Sequence, residues 1–158
     1  MKILVGYYSR SGNTKKMAEA IARGIADEGM ACDVKQISDI SVDELLHYEG
    51  LIFGSPTYYG QMAAELKKLF DDSVKHHGKL TGKVGGAFTS SGMMGGGGET
   101  TIFSIFEALL IHGMIIAGDA KIQHYGPLAV GAPDKEADKT CTKYGKKIAV
   151  LTKKLFGN

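Results

Sequence analysis

Five short apolar runs alternate with helix-patterned segments along this chain, and that alternation limits its fold more than any other feature. The runs occupy residues 2–8, 31–37, 50–54, 83–88 and 114–117. Between them, residues 13–27 set Met17, Ile21 and Ile25 on one helical face, with Gly29 as a stop. Residues 41–46 predict a short helix, with Ser41 as cap and Glu44 three positions on. Met62, Leu66, Leu69 and Phe70 mark another helix, and residues 99–112 a further one. The last helix carries Tyr144, Ile148, Leu151 and Leu155 on one side. Strand and helix in strict turn demand a parallel sheet covered on both faces. The expectation is an α/β fold: a three-layer, doubly wound, five-stranded parallel sheet in the order 2-1-3-4-5. At 158 residues, one domain spanning 1–158 is expected.

In that strand order, ligands collect beyond the carboxyl ends of strands one and three. The loops there are unusual. The first is Ser9-Arg10-Ser11-Gly12-Asn13-Thr14, at the start of a helix. Hydroxyls, an amide and backbone N–H groups converge there, as an anion's oxygens require, and the helix dipole adds to them. Gly12 permits close backbone approach. Asn13 stands where a P-loop needs lysine, and no G-x-G-x-x-G follows the first strand, so a monophosphate fits better than a nucleotide triphosphate or a dinucleotide. The second loop, Ser55 to Gln61, holds Pro56, Thr57, Tyr58, Tyr59 and Gly60, and its tyrosines suit a flat ring. The third, residues 89–98, holds Ser90, Ser91, Gly92, Met93 and a run of four glycines that includes Gly95 and Gly96. So flexible a run costs entropy, which a ligand held against bare backbone would offset. All three loops fall at one edge of the expected sheet.

Other chemistries lack residues. A net charge of +2 is too small for nucleic acid, and no apolar run approaches a membrane span, so neither partner is expected. The opening segment is too short for a signal peptide, which predicts a cytoplasmic protein. Cys32 and Cys141 stand far apart with no C-x-x-C pair, so neither an iron–sulfur cluster nor thioredoxin-type chemistry is expected, and no metal. The last helix begins with Asp134, Glu136 and Asp138 and ends with lysines, matching its own dipole. Of the histidines, His76 and His77 read as exposed, and His124 lies beside Tyr125 in a loop over residues 118–133.

The segment Tyr8-Ser9-Arg10-Ser11-Gly12-Asn13-Thr14 resembles the phosphate signature of the flavodoxins. The runs Gly54-Ser55-Pro56-Thr57-Tyr58-Tyr59-Gly60-Gln61-Met62, Glu99-Thr100-Thr101-Ile102 and His112-Gly113-Met114 resemble the tryptophan-repressor-binding-protein family, FMN-dependent NAD(P)H:quinone oxidoreductases on a flavodoxin-like fold. The resemblance implies that Ser9, Ser11, Gly12, Asn13 and Thr14 hold the FMN phosphate, with Arg10 giving mainly its backbone N–H. It implies that Pro56, Thr57, Tyr58, Tyr59 and Gly60 line the flavin ring, and that Ser90, Ser91, Gly92, Met93, Gly95 and Gly96 line its other edge. That family often has arginine-phenylalanine where Tyr58-Tyr59 stand, and a histidine where this chain has Ile111.

Two functional classes follow. One is an oxidoreductase taking hydride from NAD(P)H and reducing quinone-type acceptors, with catalysis left to the flavin and no side chain as base. The other is a carrier passing electrons between proteins. Partners are accordingly small-molecule donors and acceptors or redox proteins, with a homo-oligomer left open. Residues 54–63 and 89–98 contain no charged residue, which favours the oxidoreductase, because a low-potential carrier sets carboxylates near its flavin.

Overall fold

The computed structural model describes residues 1–157. Its elements run β1 (Lys2–Tyr7), α1 (Asn13–Asp27), β2 (Ala31–Gln36), β3 (Gly50–Pro56), α2 (Ala64–Asp72), β4 (Val84–Ser91), α3 (Gly98–Ile111), β5 (Ile115–Ile116), β6 (Leu128–Val130) and α4 (Lys135–Phe156). The sheet order is β2-β1-β3-β4-β5, with every pairing parallel, as the alternation requires.

The period of two along each central strand divides the core between two helical layers. Ile3, Val5 and Tyr7 of β1 and Ile52 of β3 pack with Met17, Ile21, Cys141 and Ile148 of α1 and α4. Leu4, Leu51 and Phe53 face the other way, onto Leu66, Phe70, Ile105 and Leu109 of α2 and α3. Burial of both faces is why the central strands read as continuous apolar runs. Where α1 crosses α4, a Cβ on Gly24 would lie 2.0 Å from the Thr142 carbonyl oxygen, and one on Gly145 would lie 2.0 Å from that of Ile21. The two backbones therefore touch.

Several boundaries depart from the sequence expectation. Strand four continues through Thr89, Ser90 and Ser91, which the sequence placed in a loop. Their hydroxyls hid a strand whose side chains are all buried. The expected fifth strand shrinks to β5, beside Val84 and Gly85, and its place at the far end of β4 is taken by β6, beside Thr89 to Ser91. Three residues between Pro127 and Gly131 carry no readable period. In the gap between the two, the Tyr144 hydroxyl accepts the Ala87 N–H at 3.1 Å. Residues 42–47 form a 3-10 helix. Ser41 caps it through the Asp43 N–H, and Glu44 turns instead to Lys35, at 3.0 Å. His76, expected to be exposed, is buried with its Nε2 2.7 Å from Asp43.

Candidate functional site

The carboxyl ends of β1, β3 and β4 bring the three unusual loops together, and each is held by its own local chemistry. After β1, the Gly12 N–H donates to Ser9 Oγ at 3.1 Å. Gly12 sits at φ +88 with nothing near a built Cβ, so the turn that starts α1 is left-handed. No side chain caps α1, and no acid lies in its first turn. Its leading N–H groups and positive dipole end are thus directed at an open position, beside the exposed Ser11 and Arg10 and the half-buried Asn13. A doubly charged phosphate suits that donor set; a cation does not.

Thr14 is buried, and its Oγ1 lies 2.9 Å from Ser90 Oγ. This contact ties the start of α1 to the end of β4. The ladder of hydroxyls continues: Thr57 N–H donates to the Ser90 carbonyl at 2.8 Å, and Thr57 Oγ1 lies 3.1 Å from both Thr89 Oγ1 and Thr101 Oγ1. Ser90 therefore sends its side chain to the start of α1 rather than outward. Ser91 Oγ donates to the Met93 carbonyl at 2.9 Å, shaping the start of the glycine-rich loop.

After β3 the chain makes a two-residue reversal. Tyr58 and Gln61 exchange N–H to carbonyl bonds, both 3.0 Å, across Tyr59 (φ 50) and Gly60 (φ 74). Two successive positive φ values define a type I′ turn, and a tyrosine is an unusual occupant. Tyr59 is 107% exposed, while Tyr58 packs edge-on against Tyr8, with centroids 6.5 Å apart. The Glu65 carboxylate, as hydrogen-bond partner and as charge, raises the Tyr8 phenol above its usual value. Opposite the turn, Gly95 and Gly97 hold positive φ, Met93 and Met94 are exposed, and a Cβ on Gly97 would lie 2.7 Å from Gly60 Cα. The loops after β3 and β4 thus meet backbone to backbone.

Sequence reading missed how much of this geometry the threonines carry. Thr89, Thr100 and Thr101 received no role, although each bonds to one of the loops. Alternating hydroxyls beside a glycine run were the available signal. Among the described residues, no histidine side chain bonds to these three loops. His112 is buried, with Nε2 2.8 Å from Ser73 Oγ. Ile111 is exposed on a groove of about 410 Å³ between α2 and α3. His124 is exposed, its Nδ1 on the Asp119 carbonyl at 2.7 Å. No helix among the described residues is long and apolar enough to cross a membrane.

Comparison with known proteins agrees with this architecture. The Flavodoxin family profile matches residues 5–106. A protein of Aquifex aeolicus named flavodoxin is 36% identical over 157 residues, covering 94% of this chain and 85% of that protein. A protein of Sinorhizobium fredii named NAD(P)H dehydrogenase (quinone) is 37% identical over 139 residues, covering 74% and 70%. The crystal structure of a flavodoxin, WrbA-like protein from Agrobacterium tumefaciens superposes with a TM-score of 0.86 at 28% identity, covering 98% of each chain.

Proposed function

Because the chain belongs to the flavodoxin family, we propose that it holds FMN across the three loops and acts as an NAD(P)H-dependent oxidoreductase reducing quinone-type acceptors. In this reading Ser9, Ser11, Asn13 and Thr14 donate from side chains to the phosphate. The backbone N–H groups around Arg10 and Gly12 complete the cradle, and the α1 dipole adds its field. Pro56, Thr57, Tyr58, Tyr59 and Gly60 bound the ring on one side. Gly92, Met93, Gly95 and Gly96 bound it on the other, with Ser90 and Ser91 anchoring that loop from beneath. When bound, the flavin supplies the redox chemistry, hydride from the nicotinamide and electrons to the acceptor. The protein orients the ring, shields one edge from water and leaves the side near Tyr59, Met93 and Met94 open to small molecules.

One observation carries the oxidoreductase reading: residues 54–63 and 89–98 present no charge to the ring. Negative charge gathered there on reduction meets backbone donors and apolar side chains rather than carboxylates, so accepting two electrons together is favoured. The competing reading, a carrier serving protein partners, is favoured by the Aquifex aeolicus flavodoxin, which matches nearly the whole chain. Steady-state oxidation of NADH and NADPH by the FMN-loaded protein, with a simple benzoquinone as acceptor, separates the two. Quinone-dependent turnover is expected. Bound FMN without turnover would assign the protein to the carriers.

A further inference from the structure

We infer that the groove between α2 and the chain leaving β2 receives the adenosine half of the nicotinamide donor, and that its carboxylates favour NADH over NADPH. The inference rests on the oxidoreductase reading above.

The groove holds about 330 Å³. It opens at Tyr8, whose ring meets that of Tyr58 edge-on with centroids 6.5 Å apart, so it begins one side chain away from the turn after β3. From there Glu65, Lys68, Leu69 and Asp72 run along one face of α2, at the spacing i, i+3, i+4, i+7. That stretch of helix makes the groove roughly 10 Å long. The opposite wall is the chain that leaves β2. Ile37, Ile40 and Leu69, all buried, form an apolar floor, while Gln36 and Ser38 set an amide and a hydroxyl at the rim. A flat base suits the floor, and a ribose suits the rim.

Charge selects between the two donors, which differ only in a 2′-phosphate on that ribose. Two carboxylates and one ammonium line the groove. Lys68 Nζ is bonded to Asp72 at 2.6 Å, so this cation is already paired. Glu65 stands beside Tyr8, and its charge raises the Tyr8 phenol above its usual value. Asp39 takes the Ser38 hydroxyl at 3.1 Å and adds a further carboxylate next to the rim. Carboxylates accept from ribose hydroxyls and repel a phosphate. The groove therefore admits the free ribose of NADH and disfavours the phosphorylated ribose of NADPH.

The test uses FMN-loaded protein at fixed, low ionic strength. It compares kcat/KM for NADH and NADPH with a simple benzoquinone, and calorimetric binding of adenosine monophosphate and adenosine 2′,5′-bisphosphate, which need no turnover. NADH should be the better donor, and the monophosphate should bind more tightly than the bisphosphate. Asp72→Asn removes one carboxylate and releases Lys68, so it should raise the NADPH-to-NADH ratio about fivefold, the worth of one exposed ion pair. Glu65→Gln should move the ratio the same way. Glu107→Gln, on the separate groove between α2 and α3, should leave it unchanged. An unchanged ratio in Asp72→Asn would overturn the inference, as would an equal shift in Glu107→Gln, which would mean that net charge rather than the groove matters. Failure of adenosine monophosphate to bind would overturn the site itself. Bound FMN without turnover on either nucleotide would overturn the oxidoreductase reading and the inference with it, whereas turnover that the groove variants do not redirect overturns the inference alone.

Discussion

Replacing Thr14 by valine separates what the phosphate loop does for folding from what it does for binding. The side chain is 1% exposed, and its hydroxyl lies 2.9 Å from that of Ser90. Valine fills the same volume, so packing is conserved and only the O–H is lost. Two costs follow, and they appear in different measurements. In the free protein, Ser90 Oγ loses a buried partner, a penalty of about 1–3 kcal/mol seen in urea unfolding. In the complex, the phosphate loses a charge-assisted donor worth about 1.5–3 kcal/mol, or roughly 10- to 150-fold in affinity. Riboflavin has no phosphate, so its affinity should fall only through loosening of the loop. Fluorescence-quenching titrations of the apoprotein with FMN and with riboflavin give the ratio directly. Urea melts of Thr14→Val, Ser90→Ala and the double variant should show coupling of at least about 0.5 kcal/mol, because the residues share one bond. Equal fold losses for the two flavins would refute phosphate binding by Thr14. Additive melts would refute the Thr14–Ser90 link.

Four further expectations are open to measurement. Tyr59→Asn should stabilise the apoprotein by about 0.5–1 kcal/mol, since asparagine tolerates the left-handed conformation that costs tyrosine about 1 kcal/mol or more; a lower melting temperature would contradict this. Gly145→Ala should destabilise by about 1–2 kcal/mol in urea, because overpacking against the Ile21 carbonyl exceeds the gain of up to ~1 kcal/mol in helix propensity; a more stable variant would show that α1 and α4 separate freely. Burial holds the His112 pKa below its usual 6.5, so the unfolded chain takes the proton first and stability should fall as pH drops below about 6.5; His112→Gln should reduce that slope, and an identical pH profile would refute the assignment. The segment 92–98 should exchange its amide hydrogens quickly in the apoprotein and slowly with FMN, and identical exchange in both states would contradict a role in binding.

The strand order was legible because both faces of each central strand are buried, which leaves a strong apolar signal in β1 and β3. The left-handed turn that opens α1 was legible for a different reason: Gly12 and its neighbouring hydroxyls are local chemistry, fixed within six residues. What could not be read depends on distant partners. Ser90 and Ser91 look like loop residues until Thr14 and the Met93 carbonyl satisfy their hydroxyls inside a strand. β6 is too short for a period and exists because the end of β4 offers it a ladder. His76 became buried through Asp43, thirty-three positions away, a pairing that no local pattern announces. Thr100 had no visible task until the fold brought Gly60 to it.

The interrupted strand beside β4 bears on how the protein behaves in a crowded solution. An uninterrupted outer strand would expose a row of free N–H and carbonyl groups on which another chain could add itself. Here that margin is cut into two residues and three residues, with Pro127 and Gly126 between them and the Tyr144 hydroxyl capping the Ala87 N–H. The opposite margin, β2, carries Asp33 and Lys35, held in ion pairs to Lys2 and Glu44. Neither margin offers a long, flat, apolar template. The edges of the sheet thus give another chain little to pair with.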